Sequence, residues 1–391
     1  MRILHLIHSE GVYGAERVLL YLAREQRQRG YSPIVCSIRD PGTPQTPFEA
    51  LASSWQLPVV PIRIAPRPTP GVVRSLLRTT RELKGDVLHS HGYKANILLG
   101  PMPRRVRGPM LATLHGWTGG RTLSALWLYE KLDKLALRSI DAVVVVTRQM
   151  LALAALRGIS AGRRHAIDNG IPPLAVRLAD LEGTPLPAAL VDFVAQRPTL
   201  IAIGRLSAEK GFALLLEAFA RARSQGGHPH QLLIVGEGPE RQALARRVVG
   251  LGLSSAVQLA GYVEGADRLL SSAHGFVMSS TTEGLPLVLL EAMQWRLPIL
   301  ATAVGAISEL LDAGRRGRLV PPNDLRSLAE GLQEMMSASS EDERTRTAYA
   351  AVTAHFTSQR MSADYARVYD SIRADAPARQ NGDARLPPAA S

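Results

Sequence analysis

Short runs of apolar residues alternate with stretches of helical periodicity along most of the chain. Residues 2–8 (RILHLIH) form the first apolar run, and residues 15–29 follow it with helical spacing. Such runs recur at residues 32–37, 87–89, 110–114 and 142–146. Near-continuous apolar strands joined by amphipathic helices are typical of a parallel sheet that is covered on both faces. The pattern therefore predicts a doubly wound α/β domain over residues 1–170.

The alternation stops at residue 171 and starts again near residue 198. Residues 171–197 are proline-rich and weakly periodic, which predicts a linker that contains a short helix. A second doubly wound domain is predicted over residues 198–355, from the runs TLIAIG, QLLIVG, VQLAG, GFVMS and PILAT. Apolar residues at helical spacing then predict a helix over 356–373, and the Ala- and Pro-rich residues 374–391 are predicted to be disordered.

Composition and charge narrow the class of protein. The 391 residues suffice for two domains, and the single cysteine, Cys36, excludes an internal disulfide. The first apolar run is too short for a signal peptide, so we expect a cytoplasmic protein. Residues 1–168 hold 24 Lys and Arg against 11 Asp and Glu, which favours an anionic partner for the first half. No signature of a nucleic-acid-binding module is present, which disfavours nucleic acid as that partner.

The segment SSTTEGLPLVLLEAM, residues 279–293, is the most informative loop. It follows a strand, and Pro286 suits the first turn of a helix. The amides of Gly284 and Leu285 would then lie at the positive end of that helix, where a phosphate binds well. Glu291 follows Glu283 by eight positions, about two helical turns. Both carboxylates are therefore expected to face one side of a cleft and to accept hydrogen bonds from hydroxyl groups, although a capped helix with one exposed glutamate would explain the same pattern.

The segment IAIGRLSAEKGF, residues 201–212, places Arg205 and Lys210 in the loop after another strand. Two cations at a strand end suit a diphosphate leaving group, because they stabilise the negative charge that grows as its bond breaks. A surface pair of cations with Glu209 as partner is the structural alternative.

Glycines and histidines mark the strand ends of the first domain. Gly11 and Gly14 let the backbone approach a ligand at a helix N-terminus, but their spacing is not that of a dinucleotide fingerprint. His89 and His91 are two apart on a strand and converge only at its end, and no Cys or carboxylate completes a ligand set, so no metal site is predicted. His115 precedes a glycine-containing loop and is the better candidate for substrate contact.

In combination, these segments resemble the large family of retaining glycosyltransferases with the GT-B fold, often called family 4. Its Glu-x7-Glu motif is similar to Glu283–Glu291 here. The other matching segments, which follow in the family's order, are the glycine turn before AERVL, HSHGYKAN, TLHG, DNGI, GRLSAEKG and VGEGPE. The resemblance covers residues 1 to about 373. It departs at Tyr13-Gly14 and at Gly305-Ala306, where the family often has paired glycines.

The resemblance implies a fold and a set of residue roles. The fold is GT-B, two Rossmann-like doubly wound domains that face a central cleft, with the acceptor bound by the first domain and the nucleotide-sugar donor by the second. Arg205 and Lys210 resemble the two cations that grip the donor diphosphate in the family, and Glu291 resembles the glutamate that holds the ribose. Glu283 resembles the glutamate near the donor sugar, with the amides of Gly284 and Leu285 beside it. Gly14 resembles the glycine whose amide meets the distal phosphate, and His115 resembles the histidine at the reacting sugar.

The expected function is transfer of a sugar from a UDP- or GDP-linked donor to a glycan or lipid-linked acceptor, in bacterial-type cell-surface polysaccharide or glycolipid synthesis. The anomeric configuration of the sugar is expected to be retained, through front-face displacement, and no cofactor is expected. The chain has no Asp-x-Asp, so a metal ion is not expected to be required. A sugar-nucleotide 2-epimerase of the same fold and a non-catalytic nucleotide-sugar binder are the alternatives. The basic residues at 72–83 and Arg104, Arg105 and Arg107 suggest peripheral contact with an anionic membrane, at the inner face of the plasma membrane.

Overall fold

The first domain is built on a seven-stranded parallel sheet. The computed structural model describes residues 1–9, 11–65, 69–116, 125–227, 229–337 and 343–374, with the side chains of 125–127 left out. The sheet has the order β3-β2-β1-β4-β5-β6-β7. Its strands are β1 (Arg2–His8), β2 (Ser32–Arg39), β3 (Val59–Arg63), β4 (Val87–Ser90), β5 (Met110–Leu114), β6 (Ala142–Val145) and β7 (Arg164–Ala166). The order reverses between β1 and β4, so the loops after these two strands diverge and open a crevice.

The second domain repeats this arrangement with six parallel strands. Its order is β10-β9-β8-β11-β12-β13, which reverses between β8 and β11. Its strands are β8 (Thr199–Ile203), β9 (Gln231–Val235), β10 (Val257–Gly261), β11 (Gly275–Met278), β12 (Ile299–Thr302) and β13 (Arg318–Val320). The central strands of both sheets are buried along their length, because helices cover both faces. The prediction of two doubly wound domains is confirmed.

Helices connect the strands and flank both sheets. The helices of the first domain are α1 (Gly14–Gln28), α2 (Pro47–Ser54), α3 (Pro70–Glu82), α4 (Tyr93–Leu99), α5 (Arg104–Arg107) and α6 (Ala125–Leu137). Those that follow are α7 (Leu174–Asp180), α8 (Ala188–Gln196), α9 (Phe212–Gly226), α10 (Arg241–Gly250), α11 (Leu287–Gln294), α12 (Ile307–Leu310), α13 (Leu325–Ser337), α14 (Glu343–His355) and α15 (Ser358–Ala374). Among these described helices, none has both the length and the apolar character that a bilayer crossing requires.

The chain ends by returning to the first domain. Residues 356–358 form a parallel bridge and hydrogen bonds with Ile171, where the chain leaves the first domain. Helix α15 then packs along α1, and the Ser358 hydroxyl donates to the Glu25 carboxylate at 2.6 Å. Buried Tyr365 and Tyr369 carry this helix onto the sheet of the first domain. The predicted disordered tail lies, from residue 375 onward, outside the described residues.

The strand predictions missed three of the four edge strands and found only β10. Strands β3, β7 and β13 are edge strands, and each has only three to five residues with charged or proline residues among them. Edge strands have one unpaired side and tolerate such residues, so their apolar signal is weak. The segment expected to contain one short helix holds two, α7 and α8.

Candidate functional site

Two loops of the second domain meet at its switch point. The loop after β8 carries Lys210, whose ammonium donates to Glu283 Oε1 at 2.5 Å from the loop after β11. The Ser280 hydroxyl donates to the same oxygen at 2.7 Å. The Ser279 hydroxyl also donates to the Lys210 carbonyl, at 2.9 Å. Gly211 adopts a φ of +65°, and a Cβ there would collide with the Ser279 carbonyl. The close approach of these loops therefore depends on a glycine.

The cations of this loop differ in their surroundings. The Lys210 side chain is 23% exposed and that of Glu283 is 10% exposed, so the pair lines the surface of the cleft. Arg205 is exposed and its guanidinium has no hydrogen-bond or ion-pair partner within the part of the chain that the structure describes. Glu209 instead accepts a hydrogen bond from Ser207 at 2.5 Å. Although burial opposes it, this hydrogen bond and the charges of Lys210 and Arg205 lower the pKa of the Glu209 carboxyl, so the alternative with Glu209 as partner of the cations stays open. With two cations and one carboxylate, the loop keeps a net positive charge beside Glu283.

Glu291 lies in a buried charge cluster that joins the two domains. Its Oε1 is 3.4 Å from Nη1 of Arg177 and 3.4 Å from Nη1 of Arg17, which belongs to α1 of the first domain. Arg177 also pairs with Asp267 at 2.5 Å and donates from Nε to Gln294 at 3.1 Å. Burial raises the pKa of the Glu291 carboxyl, although both arginines oppose this. Its side chain is only 5% exposed, so the domains meet over this carboxylate.

The helix starts near Pro286 as predicted, but the spacing of two helical turns does not apply to Glu283 and Glu291. Helix α11 begins at Leu287, with Pro286 as its extended N-cap, so Glu283 lies in the loop before the helix. A residue before proline disfavours the α conformation, which keeps Leu285 out of the helix. The two carboxylates therefore bind different partners, Glu283 with Lys210 and Glu291 with arginines.

Gly284 and Leu285 contact the first domain. A Cβ on Gly284 would lie 2.9 Å from the backbone carbonyl oxygen of His115, so only a residue without a side chain fits there unstrained. The Asn169 side chain donates to the carbonyl of Leu285 at 3.0 Å. The segment before α11 thus lies directly against the loop after β5, and His115 lies beside Gly284 across the domain boundary.

Gly14 is the first residue of α1 and is exposed. The Tyr13 amide donates to the Glu16 carboxylate at 3.0 Å, which closes the N-terminus of the helix. A Cβ on Gly14 would meet no described atom within 4 Å. Three positions along the same helix, Arg17 contacts Glu291, so the first turn of α1 faces the second domain.

The histidines of the first domain form a buried network. His89 and His91 do converge, with ring centroids 4.0 Å apart, because β4 ends between them at Ser90. His5 of β1 is the register neighbour of His89 and completes a group of three whose ring nitrogens lie within 4.8 Å. His91 Nδ1 is 3.1 Å from His115 Nε2. Burial lowers the pKa of His5 and of His115 to about 4, so these imidazoles are neutral at pH 7.

Sequence reasoning missed His5, Arg17, Arg177 and Asn169. A usable signal existed for His5, since β1 and β4 were both predicted and each carries a histidine near its middle or end. The arginines and Asn169 lie 274, 114 and 116 residues from their partners in sequence, so no local pattern predicts these contacts, although Arg17 and Asn169 stand in the segments AERVL and DNGI that carry the resemblance.

The basic residues proposed to meet a membrane are partly structural. Arg107 is buried and contacts the carboxylate of Asp141 at 2.7 Å, and Arg104 contacts the same carboxylate at 2.9 Å. These two guanidinium groups hold α5 against the start of β6. The Arg107 side chain is 1% exposed and is not available to lipid head groups, so the expectation is wrong for Arg107, whereas for Arg104, which is 26% exposed, it stays a prediction. Arg105 is exposed.

A cavity of about 170 Å³ opens beside the carboxyl ends of β1 and β2. Its polar lining includes His8, Asp40 and Lys94, with Lys94 Nζ 3.2 Å from Asp40 Oδ1. Its aromatic lining is Tyr93 and Tyr129, whose ring centroids are 5.6 Å apart. The cavity therefore offers an aromatic surface and an ion pair on the first domain's side of the molecule.

Each of the two domains matches a known protein family. A family model described as Glycosyltransferase Family 4 matches residues 12–173, and one described as Glycosyl transferases group 1 matches residues 197–338. The exopolysaccharide phosphotransferase SCO2592 of Streptomyces coelicolor is 34% identical over 238 residues, which cover 59% of this chain and 23% of that protein. The alpha-D-kanosaminyltransferase of Streptomyces kanamyceticus is 31% identical over 142 residues, 36% of each chain. The chain thus spans only 23% to 36% of the length of these two relatives.

The fold is also that of a solved structure from Anabaena. Alr3699/HepE in complex with UDP-glucose superimposes with a TM-score of 0.78 at 21% identity, over 95% of this chain and 100% of that one. This likeness concerns the fold. Because one family model matches the first domain and the other the second, the chain belongs to the glycosyltransferases of the GT-B fold.

Proposed function

We propose that this protein is a retaining glycosyltransferase of the family 4 type, which moves a sugar from a UDP- or GDP-linked donor to a glycan or lipid-linked acceptor. One observation carries the proposal: the exposed guanidinium of Arg205 and the Lys210–Glu283 pair line the switch point of the second sheet, while Gly284 abuts His115 of the first domain. Two cations that suit a diphosphate therefore lie on the same pair of loops that contacts the backbone carbonyl of His115 in the opposite domain.

Lys210 and Arg205 bind the donor diphosphate in this proposal. An ammonium group has three N–H donors, and one of them goes to Glu283, so two remain for phosphate oxygens. Arg205 adds a planar guanidinium that matches a phosphate geometrically. Both cations stabilise the charge that develops on the nucleotide as the bond to the sugar breaks.

The carboxylates and amides orient the two ends of the donor. Glu283 accepts hydrogen bonds from hydroxyls of the donor sugar, and the amides of Gly284 and Leu285 donate to the phosphate near the start of α11. Glu291 accepts from the ribose diol; its two ion contacts both go to Oε1. Gly14 brings its amide to the distal phosphate when the domains close.

Front-face displacement is the proposed mechanism. The leaving phosphate oxygen takes the proton of the acceptor hydroxyl while that hydroxyl attacks the anomeric carbon on the same face. The sugar–phosphate bond breaks, the new glycosidic bond forms, and the anomeric configuration is retained. His115 lies next to the reacting sugar and, being neutral, exchanges hydrogen bonds with its hydroxyls rather than charge.

The acceptor is proposed to enter through the cavity at Tyr93 and Tyr129. Aromatic rings stack on the apolar face of a sugar, and the Lys94–Asp40 pair offers donors and acceptors for its hydroxyls. The name of the Streptomyces coelicolor relative concerns exopolysaccharide, which favours a glycan acceptor. We propose that this takes place in the cytoplasm, at the inner face of the plasma membrane.

The test incubates the full chain with UDP- and GDP-sugars, with and without glycan and lipid-linked acceptors. The anomeric configuration of the product is then read by NMR. A product with the anomeric configuration of the donor supports the proposal, whereas an inverted product overturns it. Conversion of the donor sugar without acceptor would identify an epimerase, and nucleotide-sugar binding without any turnover would identify a non-catalytic binder.

Membrane attachment has its own measurement. Co-sedimentation with vesicles of anionic and of neutral lipid is compared at low and high salt. Binding that requires anionic lipid and falls with salt supports attachment. Equal sedimentation with both vesicles contradicts it.

A further inference from the structure

A continuous row of hydrogen bonds leads from helix α1 to the cleft. The side-chain oxygen of Gln26 is 2.7 Å from His5 Nε2. His5 Nδ1 is in turn 2.9 Å from His91 Nε2, and His91 Nδ1 is 3.1 Å from His115 Nε2. Gln26, His5 and His91 are buried, so this row does not exchange its partners with bulk water.

A second row starts at the other end of the same amide group. Gln26 Nε2 donates to the Tyr369 hydroxyl at 3.1 Å, and this hydroxyl lies 2.7 Å from His89 Nδ1. His89 Nε2 is 2.8 Å from the Thr113 hydroxyl, which is 2.9 Å from the Tyr365 hydroxyl. One glutamine therefore joins the histidine row to two tyrosines of helix α15.

With the Gln26 amide oriented as in the structure, counting protons gives the direction of the first row. A neutral imidazole carries one N–H, and its other nitrogen accepts. The Gln26 oxygen only accepts, so His5 Nε2 carries the proton and His5 Nδ1 accepts from His91 Nε2–H. His91 Nδ1 then accepts from His115 Nε2–H. The proton of His115 is thereby held on Nε2, and its Nδ1 presents a lone pair.

The two rows are consistent with one another. Gln26 donates to the Tyr369 oxygen, the Tyr369 hydroxyl donates to His89 Nδ1, and His89 Nε2–H donates to Thr113. Rotation of the Gln26 amide by 180° would reverse every proton in both rows. A mixed state would leave two lone pairs or two protons facing each other in a buried site, which is costly. The amide orientation and the histidine tautomers are therefore one shared two-state property.

The same geometry argues against a metal at His5, His89 and His91. Each of their six ring nitrogens lies within hydrogen-bond distance of a polar side chain. The His5–His91 separation of 2.9 Å suits a shared proton. Two nitrogens on a tetrahedral zinc, each at about 2.05 Å from the ion, would lie roughly 3.3 Å apart.

We propose that Gln26 is a positioning residue that sets the tautomer of His115 through His5 and His91. His115 then offers an accepting nitrogen, rather than an N–H, to a hydroxyl group of the ligand in the cleft. The opposite orientation of Gln26 would turn this nitrogen into a donor. The consequence for catalysis rests on the proposed function, but the tautomer itself does not.

The experiment is nitrogen NMR of the full chain labelled at histidine, recorded at pH 7.5 without ligand. His115 is assigned by its loss in His115→Gln. In the unsubstituted protein, His115 Nε2 is expected as a protonated nitrogen and Nδ1 as an unprotonated one. Gln26→Glu keeps an accepting oxygen beside His5 and should preserve this pattern. Gln26→Met removes the acceptor and the donor at similar size and should average the two His115 nitrogens.

The outcomes separate clearly. A His115 protonated on Nδ1 in the unsubstituted protein overturns the proposal, as does an unchanged His115 pattern in a folded Gln26→Met. Zinc added to the unsubstituted protein should leave the histidine signals unchanged. Stoichiometric loss of the His5, His89 and His91 signals would instead identify a metal site.

Turnover adds a second readout. In Gln26→Met we expect kcat to fall about 10- to 100-fold, which is the range of a mispositioned hydrogen-bonding group, with the KM for donor within about twofold. Gln26→Glu should recover most of kcat, which a merely structural role would not explain. Absence of transfer in the unsubstituted protein contradicts the proposed function and leaves the NMR result standing.

Discussion

The two halves of the cleft are built from opposite kinds of polar group. The first domain presents His115 at the end of a neutral, buried network in which every ring nitrogen of three further histidines has a partner. The second domain presents charged groups, Lys210 with Glu283 at the surface and Glu291 among arginines. A neutral network tolerates burial when each atom is paired, whereas Arg205 and Lys210 lie near solvent, where an anionic ligand can replace water.

This difference assigns different tasks to the two halves. In the proposed function, charge binds a diphosphate and stabilises its departure, so the second domain determines how tightly the donor is bound. In the proposed role of Gln26, the neutral histidines do not attract an anion, but their fixed tautomers determine which hydroxyl geometry is accepted. Changes of pH should therefore act mainly on the first half, and removal of a charge mainly on the second.

The largest expected effect is the loss of stability on acidification. Burial lowers the pKa of His5 and His115 to about 4 and those of His89 and His91 well below 6.5. The unfolded chain therefore takes up protons below pH 6.5 that the folded chain does not. The contribution of these neutral histidines to the free energy of unfolding is fully present above pH 6.5 and is lost as the pH falls toward 4. His5 and His115 alone should lower the free energy of unfolding by roughly 4 kcal/mol between pH 7 and 5.

Denaturant titrations across this pH range measure the effect. Burial raises the pKa of Asp133 to about 6 and also raises the pKa of Glu291 and of Asp168, so these three carboxyls work in the opposite direction and offset part of the loss. His355→Gln removes an exposed histidine and should leave the profile unchanged. A free energy of unfolding that is flat from pH 7 to 5 would show that the network takes up protons while folded.

The next effect concerns the charged half. Lys210→Ala should lower kcat about 10²- to 10³-fold, because it removes a donor aimed at the developing charge of the leaving group. It also leaves Glu283 without its cation, so nucleotide binding should weaken. Arg326→Ala removes an exposed cation from an ion pair with Glu330 in the same domain and serves as the matched control. Sugar transfer by Lys210→Ala at the rate of the control would contradict the role of Lys210.

Glu291 tests the contact between the domains. Glu291→Gln keeps a hydrogen-bonding group of the same shape but removes the charge that faces Arg177 and Arg17, whereas Glu291→Ala removes both. Calorimetric titration with the preferred nucleotide should show affinity about 10-fold weaker in Glu291→Gln and weaker still in Glu291→Ala. Thermal unfolding of both variants reports the cost of leaving the arginines unpaired. Equal nucleotide affinity in all three proteins would place the ribose elsewhere.

Sequence patterns predicted the two domains and most of their strands, but they did not predict the contacts between residues that lie far apart in the sequence. Central strands such as β1 and β5 are apolar and local, so their positions followed from periodicity, and Lys210 and Glu283 followed from their places at strand ends. The Arg17–Glu291 pair joins residues 274 apart, which no local pattern reveals. Pro286 correctly indicated where α11 begins, but the two-turn spacing does not apply to Glu283, because this residue lies in the loop before the helix.

The smallest effect expected on the fold is that of Gly14→Ala, and this makes it the cleanest test of domain closure. A Cβ at Gly14 meets no described atom within 4 Å, and the residue is the first of α1, so alanine should change stability by no more than about 1 kcal/mol. If the Gly14 amide approaches the distal phosphate on closing, the added methyl group should raise the KM for donor several-fold. Gly162→Ala, where a Cβ also meets nothing, is the matched control. Steady-state kinetics of the two variants decide the question: a KM equal to that of the control would mean that α1 stays clear of the donor and that closure brings only Arg17 to the second domain.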